Sequence, residues 1–285
     1  MEALAKTLEL HVRRLAGYIG ERNLARPDAL GRAGLYIEQC LTASGLETRR
    51  EDFEVPLGPT RNVVAETEAP GGRPFLLVGA HYDTAPGTPG ADDNASGVAV
   101  LLEVAARLGS GERPKVPVRL AAFACEEPPH FGTPEMGSFV HARGMRSRGE
   151  RLLGMLSLEM LGCYDSRPGS QSYPPLLSRF YPATGDFLAL VSNLGSRDFM
   201  RSMARALDSR GVTLETAALP RWVPGVGLSD QASFWKHGYP AAMLTDTAMY
   251  RNPRYHGADD TPETLDYPRM AALVEALSAA LKSWI

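Results

Sequence analysis

The stretch from Phe75 to Gly97, FLLVGAHYDTAPGTPGADDNASG, decides the fold that the sequence predicts. It opens with four consecutive apolar residues, a pattern typical of a strand that is buried on both faces of a parallel sheet. The strand ends at His81, and a loop rich in Pro and Gly leads to Asp93, where a helical pattern begins. Ligands bind beyond the carboxyl ends of the strands in open α/β sheets. The stretch therefore predicts a site in which His81 and Asp93 bind metal.

The rest of the chain alternates segments of strand and helix character around this stretch. Predicted strands cover residues 46–55, 62–68, 75–78, 116–125, 153–158, 187–191, 212–217 and 241–244. Helical patterns cover residues 4–19, 27–41, 94–105, 138–145, 196–207, 229–235 and 266–281. This alternation predicts one catalytic domain, residues 1–285, folded as a three-layer α/β/α sandwich with a mixed, largely parallel central sheet.

Composition limits the classes of function. The chain has 285 residues, and its net charge of −3 gives no electrostatic reason to expect a nucleic-acid partner. No apolar run approaches the ~20 residues that a membrane span needs. The amino terminus lacks the pattern of a signal peptide, so the chain as written is expected to be cytoplasmic unless such a segment has been removed. The cysteines lack C-x-x-C spacing and are expected to be free thiols, and the oligomeric state is left open.

Two more predicted strands end in acidic residues. Glu126 and Glu127 follow the strand 116–125, and Glu159 follows the strand 153–158. Adjacent acids at the end of an apolar strand suit a structural role poorly, because burying unpaired charge is unfavourable. Adjacent side chains diverge on extended backbone, so one acid can bind a metal while the other faces water bound to it. A solvated loop remains the alternative for the pair, and an ion pair with Arg remains the alternative for Glu159.

Asp83 and His256 extend the candidate set. Asp83 lies two residues after His81 and points the same way on an extended segment, so it can accept a hydrogen bond from the second ring nitrogen of His81. Taken alone, each residue also has a structural interpretation: a paired His at a strand end, an acidic helix start for Asp93, or a surface-loop His256. The ends of neighbouring strands lie side by side, so the joint pattern favours a metal site.

Six segments carry a more specific signal. They are, in chain order, GAHYD, GADDNASG, AFACEE, LSLEMLG, SDQASFW and RYHGADDTPET. In this order they resemble the metallopeptidase family of the bacterial di-zinc aminopeptidases, which also contains the glutaminyl cyclases and the glutamate carboxypeptidase and transferrin receptor group. The resemblance runs from about residue 62 to the carboxyl terminus. It implies an enzyme with two zinc ions per chain that hydrolyses the amino-terminal bond of peptides.

The resemblance assigns a metal role to five positions. Asp93 matches the carboxylate that bridges the two zinc ions. His81 and Glu159 match the remaining protein ligands of one ion, and Glu127 and His256 match those of the other.

Four further positions match additional roles in the family. Glu126 matches the general base, and Asp83 matches the hydrogen-bond partner of the first His. Tyr255 matches a phenol that stabilises the oxyanion in some members, whereas Asp230 is expected to be structural. The loops 162–186 and 220–227 are expected to line the substrate pocket.

The chain departs from the family pattern in two places, and the first, at Glu159, keeps a carboxypeptidase possible. Many aminopeptidases have Asp where this chain has Glu159, and Glu at this position in the related clan is often found in carboxypeptidases. A carboxypeptidase needs a cationic group for the substrate carboxylate, for which the candidates are Arg221, Arg251 and Arg254. The segment 128–135 is longer than usual and is expected to form a wall of the site, with His130 unassigned.

Two more possible functions come from branches of the same family. A glutaminyl cyclase uses one zinc ion, and the complete set of five ligand types argues against it. A binding module without catalysis, as in the receptor branch, is disfavoured because such members tend to lose ligands, and this chain keeps every position.

Overall fold

The computed structural model describes residues 1–284 and is built around one mixed sheet of eight strands. The strands are β1 Glu47–Val55, β2 Gly58–Glu66, β3 Phe75–His81, β4 Val118–Phe123, β5 Leu152–Glu159, β6 Leu188–Ser192, β7 Leu214–Ala218 and β8 Ala241–Thr245. Their order in the sheet is β1-β2-β4-β3-β5-β8-β6-β7. The four strands β4, β3, β5 and β8 run parallel to one another, so their carboxyl ends meet at one edge of the sheet.

Seven α-helices in residues 1–284 cover the two faces of this sheet. They are α1 Glu2–Val12, α2 Pro27–Ala43, α3 Gly97–Gly109, α4 Gly137–Ser147, α5 Arg197–Asp208, α6 Gln231–Lys236 and α7 Tyr267–Lys282. Side chains of β3 alternate between the two layers: Leu76 and Val78 pack in the core that contains α1, α2, α3, α5 and α7, whereas Phe75 and Leu77 pack with α4 and α6. The predicted three-layer α/β/α sandwich is therefore confirmed.

The main differences from the predicted elements lie at element ends. Strand β2 begins at Gly58 instead of residue 62, and Pro59 lies opposite Glu54 in the β1–β2 hairpin. Proline is tolerated in a strand near a sheet edge. The first helix changes to a wider, π-helical turn over Arg13–Ile19, although the apolar positions stay on its buried side.

The segment 162–186 is largely irregular, as expected; it contains a 3₁₀ turn at Leu177–Arg179 and an isolated bridge between Asp165 and Gly185. The three cysteines are free thiols, which confirms the sequence prediction. Within residues 1–284, none of the helices has the length and apolar character that a bilayer crossing would need.

Candidate metal centre

The predicted ligands converge at the shared carboxyl edge of the parallel strands. His81 and Glu159 are the last residues of β3 and β5, and Glu126–Glu127 follows the end of β4. Asp93 lies in the turn that precedes α3, and His256 lies in the loop after β8. All of these side chains are buried except that of His256, which is 31% exposed. The topology of the sheet thus brings together residues that are distant along the chain.

The side chain of Asp93 joins two groups of ligand atoms. Its Oδ1 lies 3.3 Å from His81 Nε2, which is also 3.4 Å from Glu159 Oε2. Its Oδ2 lies 3.1 Å from His256 Nε2, which is also 3.3 Å from Glu127 Oε2. Each oxygen of one carboxylate therefore faces a different imidazole and a different second acid. This is the arrangement that a carboxylate bridging two cations requires.

The separations within each group fit metal ligands better than hydrogen bonds. Charge-assisted N–H···O bonds are about 2.7–2.9 Å long, whereas two ligands at about 2.1 Å from a tetrahedral ion lie about 3.4 Å apart. Within residues 1–284, both ring nitrogens of His81, Asp93 Oδ1 and Glu127 Oε1 are buried without a hydrogen-bond partner. His81, Asp93 and Glu127 each offer one ligand atom, and these atoms lie within 4.8 Å of one another. Buried, unpaired and convergent atoms of this kind fit a metal ion.

The electrostatic environment of the buried carboxyl groups also favours a bound cation. Burial raises the pKa of the Glu126 carboxyl well above its ordinary value, and the charges of Glu127 and Glu159 add to this effect while His81 opposes it. Burial likewise raises the pKa of Glu127, to about 7. In residues 1–284 no Lys or Arg forms an ion pair with these carboxylates. A divalent ion would reverse this effect and hold the acids in their charged form.

Glu126 and Asp83 lie beside the two ligand groups. The closest Glu126 oxygen is 4.0 Å from His81 Nε2, farther than the ligand oxygens, so Glu126 faces the centre without belonging to either group. Asp83 Oδ1 is 3.6 Å from His81 Nδ1, which is longer than a hydrogen bond. The Asp83 carboxylate instead accepts the backbone amides of Glu126 and Glu127, each at 3.1 Å. Asp83 therefore connects the end of β3 to the segment that carries both acids.

Three supporting residues were missed at the level of sequence. The Asp260 carboxylate accepts the backbone amides of Asp92 and Asp93 at 2.9 and 3.1 Å, and Ser229 Oγ donates to Glu159 Oε2 at 2.6 Å. Asp260 and Ser229 lie in segments that carry the family resemblance, so the resemblance could have identified them. Arg22 lies outside those segments, and its sequence context gives no such signal.

Arg22 fixes the backbone on both sides of the loop that follows His81. Its side chain is fully buried and donates to the carbonyl oxygens of Tyr82, Pro89 and Gly90 at 2.7, 2.6 and 2.8 Å. Gly90 has a φ of +63°, and a Cβ there would collide with the backbone oxygen of Asp93. Arg22 and Gly90 therefore define the path of the chain between two of the candidate ligands.

Tyr255 lies between the centre and a neighbouring cavity. Its ring stacks on that of His256, with the centroids 3.8 Å apart and the planes at 23°. Burial, together with the surrounding carboxylates, raises the pKa of the Tyr255 phenol, which therefore stays protonated and able to donate a hydrogen bond at neutral pH. Tyr255 and Glu159 both line the cavity, which contains about 830 Å³ of empty space including its open mouth. Parts of the loops 162–186 and 220–227 form its walls, as the sequence led us to expect.

The remaining candidates are not among the ligand atoms of the two groups. None of Arg221, Arg251 and Arg254 lines the cavity, and the buried Arg251 donates to the carbonyl oxygens of Cys163 and Phe187 at 3.1 and 2.7 Å. His130 Nδ1 lies 2.7 Å from Glu135 Oε2, within the long segment 128–135.

Asp230 is fully buried near His81. Burial raises the pKa of its carboxyl to about 7. The structure places this acid behind the centre and not among its ligand atoms.

Comparisons with known proteins identify the family of the chain. The sequence pattern described as peptidase family M28 matches residues 62–281, well over half of the chain. An uncharacterized protein of Escherichia coli K12, YfbL, is 42% identical over 98% of this chain and 88% of its own length. The probable lipoprotein aminopeptidase LpqL of Mycobacterium tuberculosis is 30% identical over 72% of this chain but only 42% of its own length.

Solved structures share the fold at low sequence identity. The zinc aminopeptidase BSAP from Bacillus subtilis superposes with a TM-score of 0.76 at 16% identity, covering 97% of this chain and 94% of that one. A glutaminyl cyclase from Porphyromonas gingivalis reaches a TM-score of 0.73 at 19% identity, covering 99% and 98%. An aminopeptidase and a glutaminyl cyclase therefore share this fold, so the fold alone does not identify the activity. The family assignment rests on the sequence match. The chain belongs to peptidase family M28, as the ordered segments predicted.

Proposed function

We propose that this protein is a co-catalytic di-zinc aminopeptidase that releases the amino-terminal residue of peptides. The observation that carries the proposal is the position of Asp93, whose two oxygens each lie 3.1–3.3 Å from a different imidazole. His81 and Glu159 would hold one ion with Asp93, and Glu127 and His256 would hold the other. Nitrogen and oxygen ligands of this kind suit zinc, and the family relatives include a zinc aminopeptidase.

Charge around the centre favours a substrate with a free amine. Glu159 lines the cavity beside the centre, and the nearest oxygen of Glu126 lies 4.0 Å from His81 Nε2. A cationic amine at the centre would be attracted to both carboxylates. In residues 1–284 no Lys, Arg or His lines the neighbouring cavity, so it offers no cation for a substrate carboxylate. This lining supports the aminopeptidase over the carboxypeptidase, even though Glu159 is the longer acid.

Two side chains of the protein, Glu126 and Tyr255, would act directly in peptide hydrolysis. Zinc, when bound, would polarise the scissile carbonyl and lower the pKa of water to about 7. Glu126 would take the proton of the attacking water at its carboxylate and deliver it to the nitrogen of the leaving amine. Tyr255, which keeps its proton, would donate a hydrogen bond to the developing oxyanion.

A pair of adjacent substitutions tests the assignment. Glu126→Gln should keep both zinc ions and lower turnover of an aminoacyl anilide by about 10²–10⁴-fold, since only the general base is lost. Glu127→Ala is the matched control and should lose a zinc ion as well as activity. Metal content and turnover are measured on the same preparations. Turnover of Glu126→Gln within threefold of the wild type would remove Glu126 from its role.

The fold shared with the P. gingivalis glutaminyl cyclase supports one second candidate. A peptide beginning with glutamine separates the two activities, since a cyclase releases ammonia and leaves the peptide bond intact. An aminopeptidase releases free glutamine. We expect free glutamine, and release of ammonia with an intact peptide would favour the cyclase.

A further inference from the structure

The cavity beside the candidate centre combines apolar walls with two acids. Its lining includes the aromatic rings of Tyr173, Tyr181 and Phe187, and the only charged residues among its lining in residues 1–284 are Glu159 and Glu215. Glu215 is half-buried, so water still reaches its carboxylate, but the apolar walls would strengthen its attraction for a cation.

Glu215 lies in the same cross-strand row as Glu159. Glu159 on β5 pairs with Thr245 on β8, Thr245 pairs with Ala189 on β6, and Ala189 pairs with Glu215 on β7. All four residues line the cavity and therefore share one face of the sheet. Three steps of about 4.8 Å between strands place the two acids about 14 Å apart along this floor.

No side chain in residues 1–284 neutralises Glu215. Within residues 1–284 the ion pairs of the chain leave Glu215 without a Lys, Arg or His partner. Partial burial raises the pKa of its carboxyl. Burial also raises the pKa of the neighbouring Tyr173 and Tyr181 phenols, and the charge of Glu215 adds to this effect. These two rings stack with their centroids 5.8 Å apart. Aromatic faces beside a carboxylate form a suitable environment for a cation with an apolar stem.

We propose that Glu215 makes this cavity selective for an amino-terminal lysine or arginine, whose aliphatic stem contacts the aromatic walls and whose charged end meets the Glu215 carboxylate. The proposal rests on the aminopeptidase function proposed above, because it places the substrate's free amine at the Glu159 end of the floor.

The length of a lysine side chain matches the separation of the two acids. Five bonded steps of an extended chain, from Cα to Nζ, together with the bond to the α-amine, span about 7 Å. A hydrogen bond of about 3 Å at each end brings the total to about 13 Å, close to the 14 Å between the rows of Glu159 and Glu215. A leucine side chain ends well short of Glu215 and would leave its carboxylate without a partner.

A panel of aminoacyl anilides on the zinc-loaded enzyme tests the proposal. Lysine, arginine, norleucine, leucine and glutamate anilides are compared for kcat/KM in the wild type, in Glu215→Gln and in Glu54→Gln. Norleucine keeps the stem of lysine without its charge. Glu54 is an exposed glutamate on β1, at the opposite edge of the sheet, and serves as the matched control.

We expect the wild type to favour lysine over norleucine by at least about tenfold, which corresponds to about 1.4 kcal/mol. Glu215→Gln should lose this preference while its activity on norleucine changes less than threefold, and Glu54→Gln should behave as the wild type. Equal or better cleavage of norleucine by the wild type would overturn the proposal, as would an equal loss on both substrates in Glu215→Gln.

The panel also separates this inference from the function on which it rests. Cleavage of leucine or norleucine anilides without a preference for lysine would leave the aminopeptidase in place and overturn only the role of Glu215. Failure to cleave any of the anilides would overturn both.

Discussion

Removal of metal should destabilise the folded protein. Asp93, Glu126, Glu127 and Glu159 are buried together, and within residues 1–284 their ion pairs are only with histidines. Without a cation these acids must share protons or repel one another, which costs free energy in the folded state and nothing comparable in the unfolded chain. Chelation therefore tests the centre without the need for a substrate.

The expected stabilisation follows from the linkage between zinc binding and unfolding. A zinc ion present at about 1,000 times its Kd stabilises the protein by about 4.1 kcal/mol. The unfolding entropy is about 2.1 cal/mol/K per residue, or about 0.6 kcal/mol/K for 285 residues. Each ion should then raise the Tm by about 7 °C, and two ions by about 14 °C.

Scanning calorimetry of the chelated protein and of the same protein after zinc titration measures the shift. His256→Ala should keep about half of it, because that change removes a ligand from only one of the two groups. Magnesium at the same concentration is the control, since it prefers oxygen ligands and should stabilise much less. A Tm that differs by less than about 2 °C between chelated and zinc-loaded wild type would refute the reasoning.

Two further predictions concern parts of the molecule outside the ligand groups. Arg22→Met should lower the free energy of unfolding by about 3–5 kcal/mol, because three carbonyl oxygens lose their hydrogen-bond donor. Urea unfolding measures this loss, and a value below about 1 kcal/mol would contradict the prediction. Burial lowers the pKa of His11, but the neighbouring Cys40 and the Glu103 carboxylate, whose Oε1 lies 3.1 Å from Nε2, outweigh burial and raise the pKa to about 9. A raised pKa stabilises the fold below the unfolded value of about 6.5 and loses that contribution as the pH rises through 9. The free energy of unfolding of the wild type should therefore fall by up to about 3 kcal/mol between pH 6.5 and 9, and the fall should be smaller in His11→Asn. The same dependence of the unfolding free energy on pH in both proteins would exclude the role of His11.

Residues at the ends of apolar strands were the most predictable part of the site. His81, Glu126–Glu127 and Glu159 each interrupt or follow a buried run, and the parallel order of β3, β4 and β5 then brings them to one edge. Asp93 and His256 lie on loops without periodicity, so a pattern of residues alone left them ambiguous and the family resemblance was needed. The structure places both beside the strand ends.

Further features depend on tertiary contacts that no local pattern encodes. Arg22 is a charged residue in a short connection, and only the folded loops show that its partners are the carbonyl oxygens of Tyr82, Pro89 and Gly90. Glu215 is an ordinary residue of a short strand until the sheet order places β7 beside β6 and, through it, in the row of Glu159. The positions of Arg22 and Glu215 in the fold depend on contacts with residues that are distant along the chain. The local sequence around each residue therefore does not predict its role.

The zinc content of the protein tests the central claim most directly. After loading with zinc and exhaustive dialysis, elemental analysis should find two zinc ions per wild-type chain, one in His256→Ala and none in Asp93→Ala. Asp93 is decisive because both groups share it. Two zinc ions retained by Asp93→Ala, or none bound by the wild type, would contradict the account.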